Sequence, residues 1–321
     1  MKKVFLSALV CLAVAVVSCG CKVGEKGFKK LLLSDKANID TLSYIVGMDI
    51  ANSIDKNMVP MFKVDYNTVM DVLVQALDPK ATIEVEGESF NKENFREIGD
   101  KYMSSELQGR IMAAQGDSTA TIYTDEKEKK IVSAILGADI AYSAMNVQFD
   151  IDKRSLVTAI DEIHNGKGRL TMDFAMEYTR NYFTVVLPEN NRKESEAWLA
   201  EIEKQEGVQK TESGLLYRID RVGNGAQPTK DSDVVLVHYV GKNCHGEVFD
   251  SSYQRGESIS FPLDGVIKGW TEGMKYVRAG GQITLWIPAE LAYGDQDKGT
   301  IGPGDALEFK VELLEVNPKN K

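Results

Sequence analysis

Four cysteines and three histidines are the side chains of this 321-residue sequence best suited to disulfide, metal or imidazole chemistry. Cys11, Cys19 and Cys21 crowd the N-terminus, which leaves Cys244 as the single thiol of the body. One thiol closes no intrachain disulfide, so the fold depends on packing. His164, His238 and His245 are scattered, and predict no metal site. His238 alternates with apolar neighbours as a strand residue does, and His245 lies in a Cys-His-Gly turn. Two polar groups in apolar company stand out: Asp250 directly after Phe249, and Tyr293 directly before Gly294. A polar tip in an apolar cluster needs a partner or a purpose.

The elements that would position such groups fall into parts of different texture. The length allows two or three domains, each with its own core. A formal net charge of −10 with no basic stripe argues against nucleic acid as a partner. Lys2 and Lys3, an apolar run over 5–17 and the small residues before Cys19 form a leader. That run is short for a bilayer span and reads as a signal sequence. Val16-Val-Ser-Cys19 resembles a bacterial lipobox, which implies lipid on Cys19, with Cys21 as the alternative. Lipid on one residue would tether a soluble body to the cell envelope without a spanning helix. Residues 1–19 are thus read as leader and 20–36 as tether.

A helical region with a weak internal repeat follows. Residues 43–54 return as 133–144, with Gly47, Asp49, Ile50 and Ala51 matched by Gly137, Asp139, Ile140 and Ala141. A second match, Phe62-Lys-Val-Asp65 and Phe149-Asp-Ile-Asp152, leads into helical patterns over 66–77 and 153–163. Val46, Ile50 and Ile54, like Leu136, Ile140 and Ala144, form an i, i+4, i+8 apolar stripe. The small pairs Gly47/Ala51 and Gly137/Ala141 let another helix come close. Asp65 and Asp152 stand at helix N-caps. Each hairpin has too little core to stand alone and wants a partner. The helical units are expected over 37–115 and 125–187, the second ending in a helix over 171–186 that Pro188 interrupts. Residues 188–206 read as a charged, solvated linker helix that holds the last domain away from the first.

From Gly207 the pattern becomes alternation. Strands are expected over 215–222, 234–240, 247–250, 259–261, 282–287 and 306–316, with one short helix over 266–274. The fold class is therefore α+β: a twisted antiparallel sheet around one short helix, after an all-α region with a duplicated helical hairpin.

Five ordered blocks lie in this last domain, 207–321: residues 237–241, 246–252, 265–274, 287–294 and 301–313. They resemble the FKBP family of peptidyl-prolyl cis-trans isomerases. Gly207-Val208 and residues 211–217 resemble the entry segment of members with an N-terminal helical domain. The duplicated hairpin is similar to the dimerisation module of those Mip-like and FkpA-like proteins. The resemblance implies a proline-binding pocket with Tyr239, Phe249, Asp250, Trp270 and Tyr293 as catalytic residues. Ile259, Phe261, Val266, Ile267, Ile301 and Phe309 would bind substrate. Trp270 would form the floor, Tyr239, Phe249 and Phe309 the walls, and Asp250 the acidic group. The Ile267 N–H and the Tyr293 hydroxyl would meet substrate carbonyls. No cofactor or metal is implied, and the expected partners are proline-containing polypeptide clients.

This chain departs from the single-domain human-type members in a shorter 261–266 segment, a polar 294–301 loop, and Ile259 where Phe is common. Arg255 is a candidate partner for the pocket aspartate, and a surface turn residue on the other reading. The leading expectation is a membrane-tethered folding helper for exported polypeptides. The alternative is a weakly catalytic chaperone module that works through its helical region. The duplication raises an intrachain pseudo-dimer beside an ordinary homodimer.

Overall fold

The computed structural model describes residues 36–318, apart from Ser118 and Gln148. The leader, Cys19 and Cys21 lie outside the described residues. The chain divides into two compact units at Thr179/Arg180.

The first unit opens with α1 (Lys36–Ser53), a π turn (Ile54–Met58), α2 (Val59–Phe62) and α3 (Tyr66–Ala76). The second copy of the repeat supplies α6 (Glu126–Ala144) and α7 (Lys153–His164). Between the copies lie strands β1 (Ile83–Val85) and β2 (Glu88–Phe90), then α4 (Phe95–Tyr102) and α5 (Ser105–Ala113). The β1–β2 hairpin amends the all-α expectation. Its two central residues, Glu86 and Gly87, have φ of 52° and 87°, the left-handed pair that a tight hairpin turn uses.

The two copies do not close on themselves; they exchange partners. Helix α1 packs on α7, and α3 packs on α6. The exchange is symmetric down to single hydrogen bonds. The Asp65 N–H donates to Ser133 Oγ at 2.9 Å, and the Asp152 N–H donates to Ser43 Oγ at 2.8 Å. Asp65 and Asp152 in turn cap α3 and α7 through the N–H groups of Thr68 and Ser155. Gly47 lies against the Leu156 carbonyl and Gly137 against the Val69 carbonyl, each 2.4 Å from where a Cβ would stand. The small residues of the repeat thus face the other copy's second helix, the close approach their spacing called for.

Burial has an electrostatic cost at the matched aspartates. Asp49 and Asp139 are both pushed up to about 6 by burial, against a weaker opposing pull from Arg96 at Asp139. Asp49 Oδ2 is buried with no hydrogen-bond partner. A raised carboxyl favours the folded state while protonated, fully below about pH 4, and loses that contribution as pH rises through about 6. Asp49→Asn is therefore expected to stabilise the protein above pH 7 by on the order of 1–3 kcal/mol. The gain vanishes near pH 4, and urea unfolding at the two pH values measures it.

The second unit begins within α8 (Met172–Asn181), which runs through a π turn (Tyr182–Val186) into α9 (Leu187–Glu203). Pro188 does not interrupt the helical run as the sequence suggested. It sits in the first turn of α9, where its missing N–H is tolerated, directly after the widened turn.

Helix α9 also departs from the solvated-spacer expectation, because it is docked on the sheet domain that follows. Asn191 Nδ2 donates to the Pro303 carbonyl at 2.9 Å. Buried Ser195 accepts from the Ala306 N–H at 2.8 Å and lies 3.2 Å from the Gly304 carbonyl. A Cβ on Gly304, whose φ is 84°, would stand 2.5 Å from the Pro188 carbonyl. Further along, Ile202 packs with Leu216 and Trp286. The docking residues mix buried Asn191 and Ser195 with a few apolar ones spread among charges, so hydropathy alone does not reveal them.

The described strands of this unit are β3 (Gln209–Lys210), β4 (Leu216–Arg221), β5 (Val234–Asn243), β6 (Val248–Ser251), β7 (Ile259–Pro262), β8 (Gln282–Ile287) and β9 (Leu307–Val316). They form an antiparallel sheet in the order β3-β4-β8-β9-β5-β6, with β7 also paired to β5. Alternation in β5 sends Val235, Val237 and Tyr239 inward, and in β9 Leu307, Phe309, Val311 and Leu313. The short helix α11 (Lys268–Gly273) crosses this face. Gly269 and Gly273 bring it onto β8: Cβ atoms there would stand 2.4 Å from Ile287 and 2.5 Å from Leu285. This contact seats Trp270 in the core.

Candidate active site

A cavity of about 530 Å³ opens where α11, β5, β6 and β9 meet. Trp270, buried at the centre, is ringed edge-to-face by Tyr239, Phe309 and Phe261, with ring centroids at 5.3, 5.3 and 5.8 Å. Phe249 stands edge-on to Phe309 at 5.4 Å. Such pairing matches ring edges to ring faces and stiffens the walls. Gly241, opposite Phe309 in the β5–β9 register, is required here. A Cβ at that position would stand 2.7 Å from the Phe249 ring and 2.8 Å from the Phe309 ring.

The polar side of the cavity is a three-membered cluster. Asp250 accepts hydrogen bonds from the Tyr239 hydroxyl and from Arg255, and Arg255 Nη2 donates to the Tyr239 oxygen at 3.0 Å. The guanidinium also lies 5.6 Å from the Tyr239 ring centroid. Arg255 reaches inward because it ends the single-turn helix α10 (Ser252–Arg255), which Gly256 closes at φ 78°. Ser252, fully buried, accepts from the Tyr239 N–H at 2.8 Å and holds that turn against β5. Burial works against the Asp250 charge, but the Tyr239 and Arg255 hydrogen bonds outweigh it and hold the carboxyl below its ordinary range. Burial, reinforced by Asp250, pushes the Tyr239 phenol up. At neutral pH the cluster is therefore an ionised carboxylate held by a neutral phenol and a cation.

Of the residues named from sequence, Tyr239, Phe249, Asp250, Phe261, Val266, Ile267, Trp270, Tyr293 and Phe309 line this cavity. Ile259 and Ile301 are not among its lining; Ile301 is buried in the core that Tyr239, Trp270 and Phe309 share, and Ile259 packs on that core. Gly265, Lys268 and Ala292 line it as well and were not singled out. Lys268 and Gly265 sit inside the 265–274 block, so that block marked the place without marking each side chain. The lining includes aromatic rings, a carboxylate and backbone ahead of α11. Among the described residues it holds no cysteine, histidine or serine to act as nucleophile. The arrangement suits enclosure of a small apolar ring beside an amide.

Comparison with known proteins gives the family. Residues 225–314 match the family described as FKBP-type peptidyl-prolyl cis-trans isomerase. Residues 128–219 match the domain amino terminal to FKBP-type peptidyl-prolyl isomerase, which covers the second copy of the repeat and not the first. The FKBP-type peptidyl-prolyl cis-trans isomerase FkpA of Escherichia coli K12 is 37% identical over 224 residues, 65% of this chain and 82% of that protein. A probable FKBP-type isomerase of Haemophilus influenzae is 47% identical over 131 residues, 40% of this chain and 54% of that one. The crystal structure of Escherichia coli FkpA aligns at 36% identity and a TM-score of 0.44, covering 53% of this chain and 84% of that one. By the family match and the extent of the shared sequence, the chain belongs to the FKBP-type peptidyl-prolyl cis-trans isomerases and is an enzyme of that class.

Proposed function

We propose that the Trp270 cavity is the isomerase site and that it serves exported polypeptides at a bacterial membrane face. Rotation about an amide costs about 18–20 kcal/mol because resonance keeps it planar. Cis and trans Xaa-Pro forms are nearly balanced, so the barrier is what an enzyme must lower. Resonance places negative charge on the carbonyl oxygen, and water favours that polar planar form. A cavity walled by Tyr239, Phe249, Phe261 and Phe309 withdraws the water and favours the less polar, twisted amide. Trp270 supports the prolyl ring. The Ile267 N–H and the Tyr293 hydroxyl hold flanking carbonyls, and Asp250 orients the rotating one through its charge. Ile259 and Ile301 act as packing.

The observation that carries this reading is the Asp250–Tyr239–Arg255 cluster beside the ring cage. An exchange assay on an Xaa-Pro peptide tests it with the full chain, since residues 207–321 alone would lack α9. Absence of acceleration, or acceleration indifferent to Phe249→Ala and Asp250→Ala, would sink the site assignment.

Lipid on Cys19 would supply the tether. No helix of the described residues is long and apolar enough to cross a membrane. Cys19→Ser together with Cys21→Ser should move the protein from the membrane to the soluble fraction of cells; unchanged partition would refute the anchor. The exchange of helices between the two copies supports an internal pseudo-dimer, and hence a monomer. A tight dimer in sedimentation at low micromolar concentration would refute that reading.

A further inference from the structure

Asp305, in the segment just ahead of β9, is 4% exposed, and its Oδ1 has no hydrogen-bond partner. Its other oxygen accepts from the Gly302 N–H at 2.7 Å, which orients the carboxylate. An isolated buried carboxylate is costly and normally acquires a partner or a metal. Two groups that ligate metals stand beside it. Cys244 Sγ, a nitrogen of His245 and a carboxylate oxygen of Asp305 all lie within 4.8 Å of one another. The first two occupy the turn between β5 and β6, and the turn itself is built. Asn243 Oδ1 accepts from the N–H groups of His245 and Glu247 at 3.1 and 3.0 Å. Asn243 Nδ2 donates to the Thr300 carbonyl at 3.0 Å, tying the turn to the segment that carries Asp305.

We propose that Cys244, His245 and Asp305 form a binding site for one divalent transition-metal ion of the zinc class, outside the isomerase cavity. A thiolate and an imidazole select against calcium and magnesium, which take oxygen ligands. Thiolate, imidazole and carboxylate together are a three-protein-ligand set for zinc, with the fourth position left to water. One thiolate and one carboxylate also balance the two positive charges, which makes a partly buried site affordable. At metal–ligand distances of about 2.0–2.3 Å, tetrahedral ligands stand roughly 3.5 Å apart. The three groups must therefore draw together by about an ångström. His245 is exposed and can supply that movement.

A neighbouring hydroxyl fits the same reading. Ser195 Oγ, 3.7 Å from Cys244 Sγ, is placed to hydrogen-bond the thiolate, the supporting contact that metal ligands commonly have. The ion would join the β5–β6 turn to the segment entering β9. Phe249 and Asp250 lie on β6 and Phe309 on β9, so the site would brace two walls of the cavity from outside.

The test uses the full chain with Cys11, Cys19 and Cys21 replaced by serine, so that Cys244 is its only thiol, reduced and stripped with a chelator. Titration with Co²⁺ should give one equivalent of binding with a thiolate-to-cobalt charge-transfer band, and Zn²⁺ should displace it. Zn²⁺ should raise Tm. Cys244→Ser should abolish the band. His245→Ala, at an exposed position that does not endanger the fold, should weaken Zn²⁺ binding at least tenfold and remove the Tm rise. Absence of the thiolate band, or Zn²⁺ affinity unchanged within twofold in His245→Ala, would overturn the proposal.

Discussion

Replacing Asp250 with alanine is expected to lower kcat/KM for an Xaa-Pro peptide by about tenfold to a hundredfold, with circular dichroism unchanged. The residue holds two partners, the Tyr239 hydroxyl and the Arg255 guanidinium. Hydrogen bonds to a charged group are worth about 1.5–3 kcal/mol each. If the rotating amide draws on only part of that, a loss of about 1.4–2.8 kcal/mol follows, and each 1.4 kcal/mol is a factor of ten. Asp250→Asn keeps the shape and one acceptor while it removes the charge, so its loss should be smaller. The wild-type profile should be flat above about pH 5, because the Tyr239 and Arg255 bonds overcome burial and depress the carboxyl. Activity should fall only as pH drops through that depressed value. An Asp250→Ala enzyme with undiminished kcat/KM would remove the carboxylate from the mechanism.

The second large effect is expected in the helical unit. Gly47→Ala and Gly137→Ala should each destabilise it by about 1–3 kcal/mol, although alanine favours a helix by about 1 kcal/mol over glycine. The reason is steric and lies in the backbone of the facing helix. A Cβ at Gly47 would stand 2.4 Å from the Leu156 carbonyl and 2.7 Å from the Ala159 Cβ. At Gly137 it would stand 2.4 Å from the Val69 carbonyl and 3.3 Å from the Leu73 nitrogen. Neither neighbour can rotate aside as a side-chain tip would, so the helices must separate and lose packing along their length. Gly109 in α5 is the control. Nothing lies within 4 Å of its would-be Cβ, so Gly109→Ala should stabilise by a few tenths to about 1 kcal/mol. Urea unfolding of the three variants measures the contrast. Stabilisation by Gly47→Ala would mean that the two copies do not pack as described.

The repeat shows where sequence reading stops. The apolar stripe, the small pair and the caps Asp65 and Asp152 all follow from spacing within ten or twenty residues. That each first helix would choose the other copy's second helix does not, because both choices bury the same stripe. Ser43 and Ser133 discriminate, each accepting an N–H from the opposite copy's cap residue, and a lone serine in a helix carries no such label. The hairpin at 83–90 was missed because its strands are three residues each, too short for alternation to register.

The site divides in the same way. Ordered blocks in the sequence marked its rings and its aspartate. Ile301 stood in one of those blocks and is buried in the same core as Tyr239, Trp270 and Phe309, but it is not among the residues that line the cavity. Arg255 remained open between a surface turn and the pocket until Gly256 and Ser252 fixed the direction of its turn. Helix α9 read as solvated because Asn191 and Ser195 look like surface residues beside so many charges. Their bonds to Pro303 and Ala306, with Ile202 packed on Leu216 and Trp286, dock it on the sheet domain.

The sequence by itself determined the α+β class, the strands that alternate, the duplicated hairpin and the family to which the sheet domain belongs. The class, the strands and the hairpin rest on periodicity and local order, which a linear chain carries openly; the family rests on the resemblance of the five ordered blocks. Tertiary structure decided the crossed pairing of the two hairpins, the docking of α9, the ion pair at Asp250 and the orphaned oxygen of Asp305. The first three depend on groups 5 to 112 residues apart meeting at hydrogen-bond or van der Waals distance. Such encounters are settled by packing density and by the need of buried polar groups for partners.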